Sequence, residues 1–183
     1  SVGNSLIKKG LYPQYKPFEG SVLKLVRLAK QFAVGINKDM NDRSVWLHII
    51  KHYDIEVFDE DSTDNTDLII KLARKVLQRS NETCTDVVDF DDMIYAPLFY
   101  KVKFFQYDWV LVDEAQDTNE VRRLLALAIK KPNGRLVAVG DRHQAIFGFT
   151  GADANSLELI ATATNAKRLP LNVTYRCPKS VVA

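Results

Sequence analysis

Apolar residues recur at helical spacing through the first half of the chain. Val22, Leu25, Val26, Leu28 and Ala29 predict a helix over 22–33, and Val45, Trp46, Ile49 and Ile50 predict a second that ends near His52. Asn41 or Asp42 stands where an N-cap is needed, and the segment around Gly35 to Lys38 reads as a loop. The acidic, Ser/Thr/Asn-rich stretch 59–67 reads as a solvated connection. Leu68, Ile69, Leu72, Val76 and Leu77 then mark a third helix over 68–79, whose other face carries Lys71, Arg74, Lys75 and Arg79. That basic row is either a solvated helix surface or a ridge facing phosphates.

The pattern changes after Asp89. Two short apolar runs, 108–113 closed by an acid and 135–140 closed by a glycine, flank a stretch over 118–131 in which Val121, Leu124, Leu125, Leu127, Ala128 and Ile129 follow helical spacing. Strand, helix, strand with near-continuous apolar strands predicts a buried parallel sheet joined by a right-handed crossover, so the second half reads as α/β. In open parallel sheets the binding crevice lies beyond the carboxyl ends of the strands. Asp113-Glu114 and Gly140-Asp141 both fall there.

Composition narrows the class only slightly. With 183 residues, 46% hydrophobic and 26% charged, the chain fits one sizeable core or a core with a small companion. A net charge of +2 gives no bulk electrostatic footprint, so nucleic-acid binding has to be argued from local features. Cys84 and Cys177 form no CxxC pair, which argues against a zinc site and fits two free thiols. No apolar run approaches the roughly 18 residues that span a bilayer, so no membrane partner is expected. The start, Ser1-Val2-Gly3-Asn4, lacks Met and reads as the interior of a longer sequence.

Candidate chemistry sits at the strand ends. An Asp-Glu pair directly after a strand can aim one carboxylate at a hydrated Mg²⁺ and the next at an attacking water, although two acids alone also suit a helix N-terminus. Three segments stand in order: DEAQD at 113–117, GDRHQAIFGFTGA at 140–152 and LNVTYRCP at 171–178. They resemble helicase motifs II, III and IV of the UvrD/Rep type of superfamily 1 DNA helicases, and DFDDMI at 89–94 is similar to that family's segment ahead of motif II. The likeness covers about half of the chain, residues 89–183.

The resemblance implies a fold with two parts. Residues 1–88 would be a mostly helical inserted subdomain, and residues 89–183 the C-terminal part of a first RecA-like ATPase domain with a partial parallel sheet and flanking helices, running into the second. It implies ATP and Mg²⁺ as cofactors, with Asp113 holding the metal and Glu114 activating the hydrolytic water. Gln144 would sense the γ-phosphate, and Arg176 would reach it as an arginine finger. Phe147 and Phe149 would stack on bases of single-stranded DNA, the alternative for both being a place in the core. The partners implied are single-stranded DNA and duplex junctions, with movement 3′ to 5′, in the cytoplasm or nucleoid, or in the nucleus of a eukaryote.

Departures from the pattern are informative. Thr150 stands where the family usually has Arg, and His143 where it often has an acid. His48 and His52 share i,i+4 spacing without the glutamate of an HExxH site, so surface or core histidines are expected. No GxxxxGK[ST] loop occurs, and no Gly is followed by Lys. The reading is therefore a fragment of an ATP-dependent helicase that lacks its phosphate-binding loop and is inactive by itself, the alternative being a non-catalytic single-strand-binding relic of a RecA-like domain.

Overall fold

The structure is a computed structural model, and it describes residues 13–144 and 155–171. A 3-10 turn over Pro13–Phe18 leads into α1 (Glu19–Gln31), followed by α2 (Arg43–His52), α3 (Thr66–Glu82) and α4 (Asp92–Phe99). Then come β1 (Tyr107–Val112), α5 (Glu120–Ala128), β2 (Lys130–Ala138) and α6 (Ser156–Thr164). The protein is thus a mixed α/β molecule with six helices and a two-stranded parallel sheet among the described residues.

The helices follow their apolar stripes. Leu25, Ala29, Trp46, Ile49, Ile69, Ala73 and Leu77 are all at or near zero exposure, and together they knit α1, α2 and α3 into one core. Each fully buried Leu or Ile of this kind contributes roughly 1.5–3 kcal/mol of hydrophobic stabilisation before entropy is counted. Asp42 caps α2 as expected, its Oδ1 accepting the Ser44 amide at 2.8 Å and the Ser44 hydroxyl at 2.7 Å. The helix α1 ends earlier than the predicted 33, because Ala33 takes φ 55 and Gly35 φ 89, and the chain reverses there. A Cβ at Gly35 would stand 2.9 Å from the Tyr95 hydroxyl, which donates to the Val34 carbonyl at 2.7 Å. Burial there pushes the Tyr95 hydroxyl pKa up to about 12.

The acidic connection is better ordered than its composition suggested. The Asp59 carboxylate accepts the Thr63 amide at 2.8 Å, the Asp61 amide at 3.1 Å and the Asn65 side chain at 3.1 Å. In the basic row on α3, Arg74 donates to the Asn41 carbonyl at 2.9 Å and Arg79 pairs with Glu82 at 3.0 Å. These two arginines serve neighbouring structure, which fits a helix surface.

The DFDD segment ties α4 to the helical core. Asp89 and Asp92 exchange bonds in the manner of a capping box, the Asp92 amide donating to Asp89 Oδ1 at 2.9 Å and the Asp89 amide to Asp92 Oδ2 at 3.2 Å. Into this pair reaches Lys30 of α1, 1% exposed, with its Nζ 2.6 Å from Asp92 Oδ1 and 2.9 Å from Asp89 Oδ2. Burial pushes the Asp92 carboxyl up, against the pull of Lys30. Burial acts on Asp89 as well, but the Lys30 ammonium and the Asp92 amide outweigh it and hold that carboxyl below its usual value. Gln31 adds a bond to Asp91 at 3.0 Å.

The strand, helix, strand unit is present, and β1 pairs parallel to β2 with Trp109 opposite Arg135 and Val112 opposite Ala138. Two details differ from expectation. Helix α5 stops at Ala128, and β2 begins at Lys130 with an irregular register between Tyr107 and Trp109. Gly134 allows this approach, since a Cβ there would meet the Tyr107 carbonyl oxygen at 2.9 Å. The sheet is also not buried on both faces: Val110 is buried, whereas Trp109 is 55% and Leu111 76% exposed. Odd-numbered residues of β1 share one face, and no described element covers it.

Substituting Lys30 by Met leaves Asp92 buried without its cation, and destabilisation of about 3–5 kcal/mol is expected in urea unfolding. A Lys30→Met variant as stable as the parent contradicts a structural role for the cluster. Hydrogen bonds hold the carboxyls of Asp42, Asp59 and Asp64 below 3.8, so their contribution is present above that value and lost as pH falls through their folded-state values. Denaturation midpoints measured from neutral to acid pH should fall on the acid side, and less steeply in Asp59→Asn.

Candidate active site

The site begins where β1 ends. After Val112 the chain bends through Asp113 and Glu114 into a 3-10 turn over Ala115–Asp117, and then into α5. The ladder continues past the strands, with the Val139 amide donating to the Val112 carbonyl and the Ala115 amide to the Val139 carbonyl, both at 2.9 Å. These bonds bury Ala115 and turn the two preceding acids outward, so that Asp113 and Glu114 are exposed. Glu114 adopts φ 47, ψ 45, a left-handed conformation that costs a non-glycine residue about 1–3 kcal/mol. Strain of this size is held where the surrounding bonds over-determine the backbone, as they do on both sides of Glu114.

At the end of β2 the chain makes a second 3-10 turn, Arg142–Gln144. The Asp141 carboxylate organises it, accepting the His143 amide and the Gln144 side-chain amide, each at 2.9 Å. The same two bonds hold the Asp141 carboxyl below its ordinary value. Gln144 and His143 are exposed. The predicted pair Asp113-Glu114 and the predicted Gln144 therefore occupy adjacent carboxyl ends of two parallel strands, the position where such sheets bind ligands.

One residue that sequence reasoning passed over joins the two turns. Gln116 is 3% exposed, its Nε2 donates to Glu114 Oε2 at 2.8 Å, and its Oε1 accepts the Asp141 amide at 3.0 Å. The available signal was a polar side chain inside DEAQD at a position the turn buries. Beyond the turn, Asn119 caps α5 by accepting the Arg122 amide at 3.1 Å. Glu120 at the start of that helix accepts Asn37 at 2.7 Å and pairs with Lys38. The site's backbone is thus braced from the helical half of the molecule.

Phe147, Phe149, Thr150 and Arg176 lie outside the described residues, as does Cys177. Cys84 is a free thiol. His48 and His52 stack on one another at 5.8 Å, and Phe32 and Tyr53 meet them edge-on. Among the described residues no group of three or more His, Cys, Asp or Glu side chains could hold a metal ion by itself. The donor set still suits Mg²⁺, which prefers carboxylate oxygen, keeps several waters and needs only one or two protein ligands when phosphates supply the rest. Asp113 is an exposed carboxylate of that kind, with Oδ1 accepting the Glu114 amide at 2.9 Å. No helix among the described residues is long and apolar enough to cross a membrane.

Comparison with known proteins shows the family. Residues 17–164 match the model of the UvrD/REP helicase N-terminal domain. The chain is 33% identical over 127 residues to a probable DNA helicase II homolog of Mycoplasma capricolum, covering 64% of this chain and 17% of that protein. It is 33% identical over 106 residues to the ATP-dependent DNA helicase PcrA of Staphylococcus epidermidis, covering 53% and 14% respectively. Over 79 residues it is 39% identical to the F-box DNA helicase protein 1 of Schizosaccharomyces pombe, covering 43% and 8%. The chain spans a fifth or less of the length of these relatives, and no solved structure matches it. The family match and the ordered motifs together identify the chain as a member of the UvrD/Rep helicase family, with residues 17–164 matching that family's N-terminal domain.

Proposed function

We propose that the chain supplies one wall of the ATP site of a DNA helicase that moves 3′ to 5′ on single-stranded DNA. The observation that carries this reading is the convergence of exposed Asp113 and Glu114 with exposed Gln144 at neighbouring strand ends. In this reading residues 89–183 belong to a RecA-like ATPase domain, and residues 1–88 are a helical subdomain inserted in it. The relatives named as ATP-dependent DNA helicases support ATP as the nucleotide.

Asp113 is the carboxylate that would hold Mg²⁺, and the metal when bound neutralises charge on the transferred phosphoryl group. Glu114 accepts a proton from the attacking water and orients it toward the phosphorus. Its left-handed backbone sets the direction in which that side chain leaves the turn before substrate arrives, as expected of a strained active-site residue. Gln144, held by Asp141, donates its amide toward the terminal phosphate and reports its loss. Arg176 stabilises charge developing on the same group, and Phe147 and Phe149 stack on the bases of single-stranded DNA beside a duplex junction.

The test is Glu114→Gln in the intact protein. It removes the proton acceptor while keeping size and backbone preference, so ATP turnover should fall by about 10²–10⁴ with nucleotide binding retained. Turnover within about twofold of the parent would reject Glu114 as the base.

A further inference from the structure

Gln116 stands between the two halves of the site and touches both. Its amide nitrogen donates to Glu114 Oε2 at 2.8 Å, while its carbonyl oxygen accepts the Asp141 amide at 3.0 Å. Asp141 in turn holds Gln144 through Oδ2 at 2.9 Å. The path from Glu114 to Gln144 is therefore four residues joined by three hydrogen bonds, and Gln116 is its buried member. A glutamine can fill this place because it presents one donor and one acceptor from the same planar group. Glutamate would keep the acceptor and lose the donor.

Gly140 gives independent support. A Cβ at that position would lie 2.4 Å from Gln116 Oε1 and 3.0 Å from the Ala115 amide nitrogen, distances no side chain tolerates without displacing the glutamine. The absence of a side chain at 140 is what lets the second turn close on Gln116. Among the described residues, the other hydrogen bonds between the two strand ends are backbone bonds of the ladder, which fix the strands but not the Glu114 carboxylate.

We propose that Gln116 is a positioning residue that locks the Glu114 carboxylate to the Asp141-Gln144 turn, so that the water-activating group and the phosphate-sensing group keep one geometry and shift together. The inference rests on the reading of Glu114 and Gln144 given above, and it adds the element that couples them. Buried amides bonded on both sides transmit displacement well, because breaking either bond leaves a polar group unsatisfied at a cost of about 1–3 kcal/mol.

Two measurements separate the coupling from the function. In this chain, Gln116→Met keeps an unbranched side chain of similar bulk and removes both bonds. The Asp141 amide should then exchange with deuterium about tenfold faster or more, while the Ala115 and Val139 amides keep their protection. In Gln116→Glu the Asp141 amide should stay protected, since the acceptor remains. Unchanged exchange at Asp141 in the Met variant overturns the bridge, whatever the protein's activity.

In the intact protein, both variants should lower kcat for ATP by about tenfold or more with KM within about twofold of the parent, the pattern of a misplaced catalytic group. Gly140→Ala should reproduce this by displacing the Gln116 side chain. In a Glu114→Gln background, Gln116→Met should add no further loss, because the two act as one unit. Parental kcat in both Gln116 variants overturns the positioning role while leaving Glu114 as the base. Parental kcat in Glu114→Gln removes the role of Glu114 as the base instead, with the exchange result still deciding whether the bridge exists.

Discussion

Parallel pairing of β1 with β2 is the constraint on which the rest depends. Because the two strands run the same way and end in register at Val112 and Ala138, the residues that follow each strand emerge on the same edge. Two further backbone bonds, Val139 to Val112 and Ala115 to Val139, carry the ladder into the turns and decide which side chains are swallowed and which are turned out. Ala115 and Gln116 go in, and Asp113, Glu114 and Gln144 stay out.

The helical half supplies rigidity to this edge. Its apolar core runs without a break from α1, α2 and α3 through Tyr95 of α4 to Val121 of α5. Polar ties add direction to the packing. Lys30 sits between Asp89 and Asp92 at the start of α4, and Asn37 and Lys38 grip Glu120 at the start of α5, three residues past the acidic turn. A buried ion pair of this kind is weak evidence for net stability, but it penalises any arrangement that separates its members. Here it fixes where α4 begins relative to α1.

Much of this was legible in the sequence. The three long helices, the Asp42 cap and the strand, helix, strand order follow from periodicity and capping chemistry, where local preference and burial agree. The strand ends were legible as ligand positions because apolar runs stop at acids or glycine. What escaped were features set by tertiary geometry. Apolar spacing extends the helix to 131 and starts the strand at 135, yet the helix stops at Ala128 and the strand starts at Lys130, where Gly134 admits close approach to Tyr107. Full burial of the sheet was expected from its apolar strands, but among the described residues only one face of β1 meets packing. Gln116 escaped because the one signal, a polar residue inside DEAQD, does not show that the turn buries it between Glu114 and Asp141. Phe147, Phe149 and Arg176 rest on motif resemblance, since they fall outside the described residues.

In the proposed reading the strand edge is a catalytic surface: a strained glutamate, an exposed aspartate that would hold the metal, and a glutamine turn held to them by a buried amide. Its central claim is spatial. Crystals of the intact protein grown with Mn²⁺ and a non-hydrolysable ATP analogue would locate the metal by anomalous scattering. The account predicts the metal beside the Asp113 carboxylate, directly or through a bound water, with the terminal phosphate facing Glu114 and Gln144. A metal and phosphate bound elsewhere, with Asp113 and Glu114 facing solvent, would contradict it.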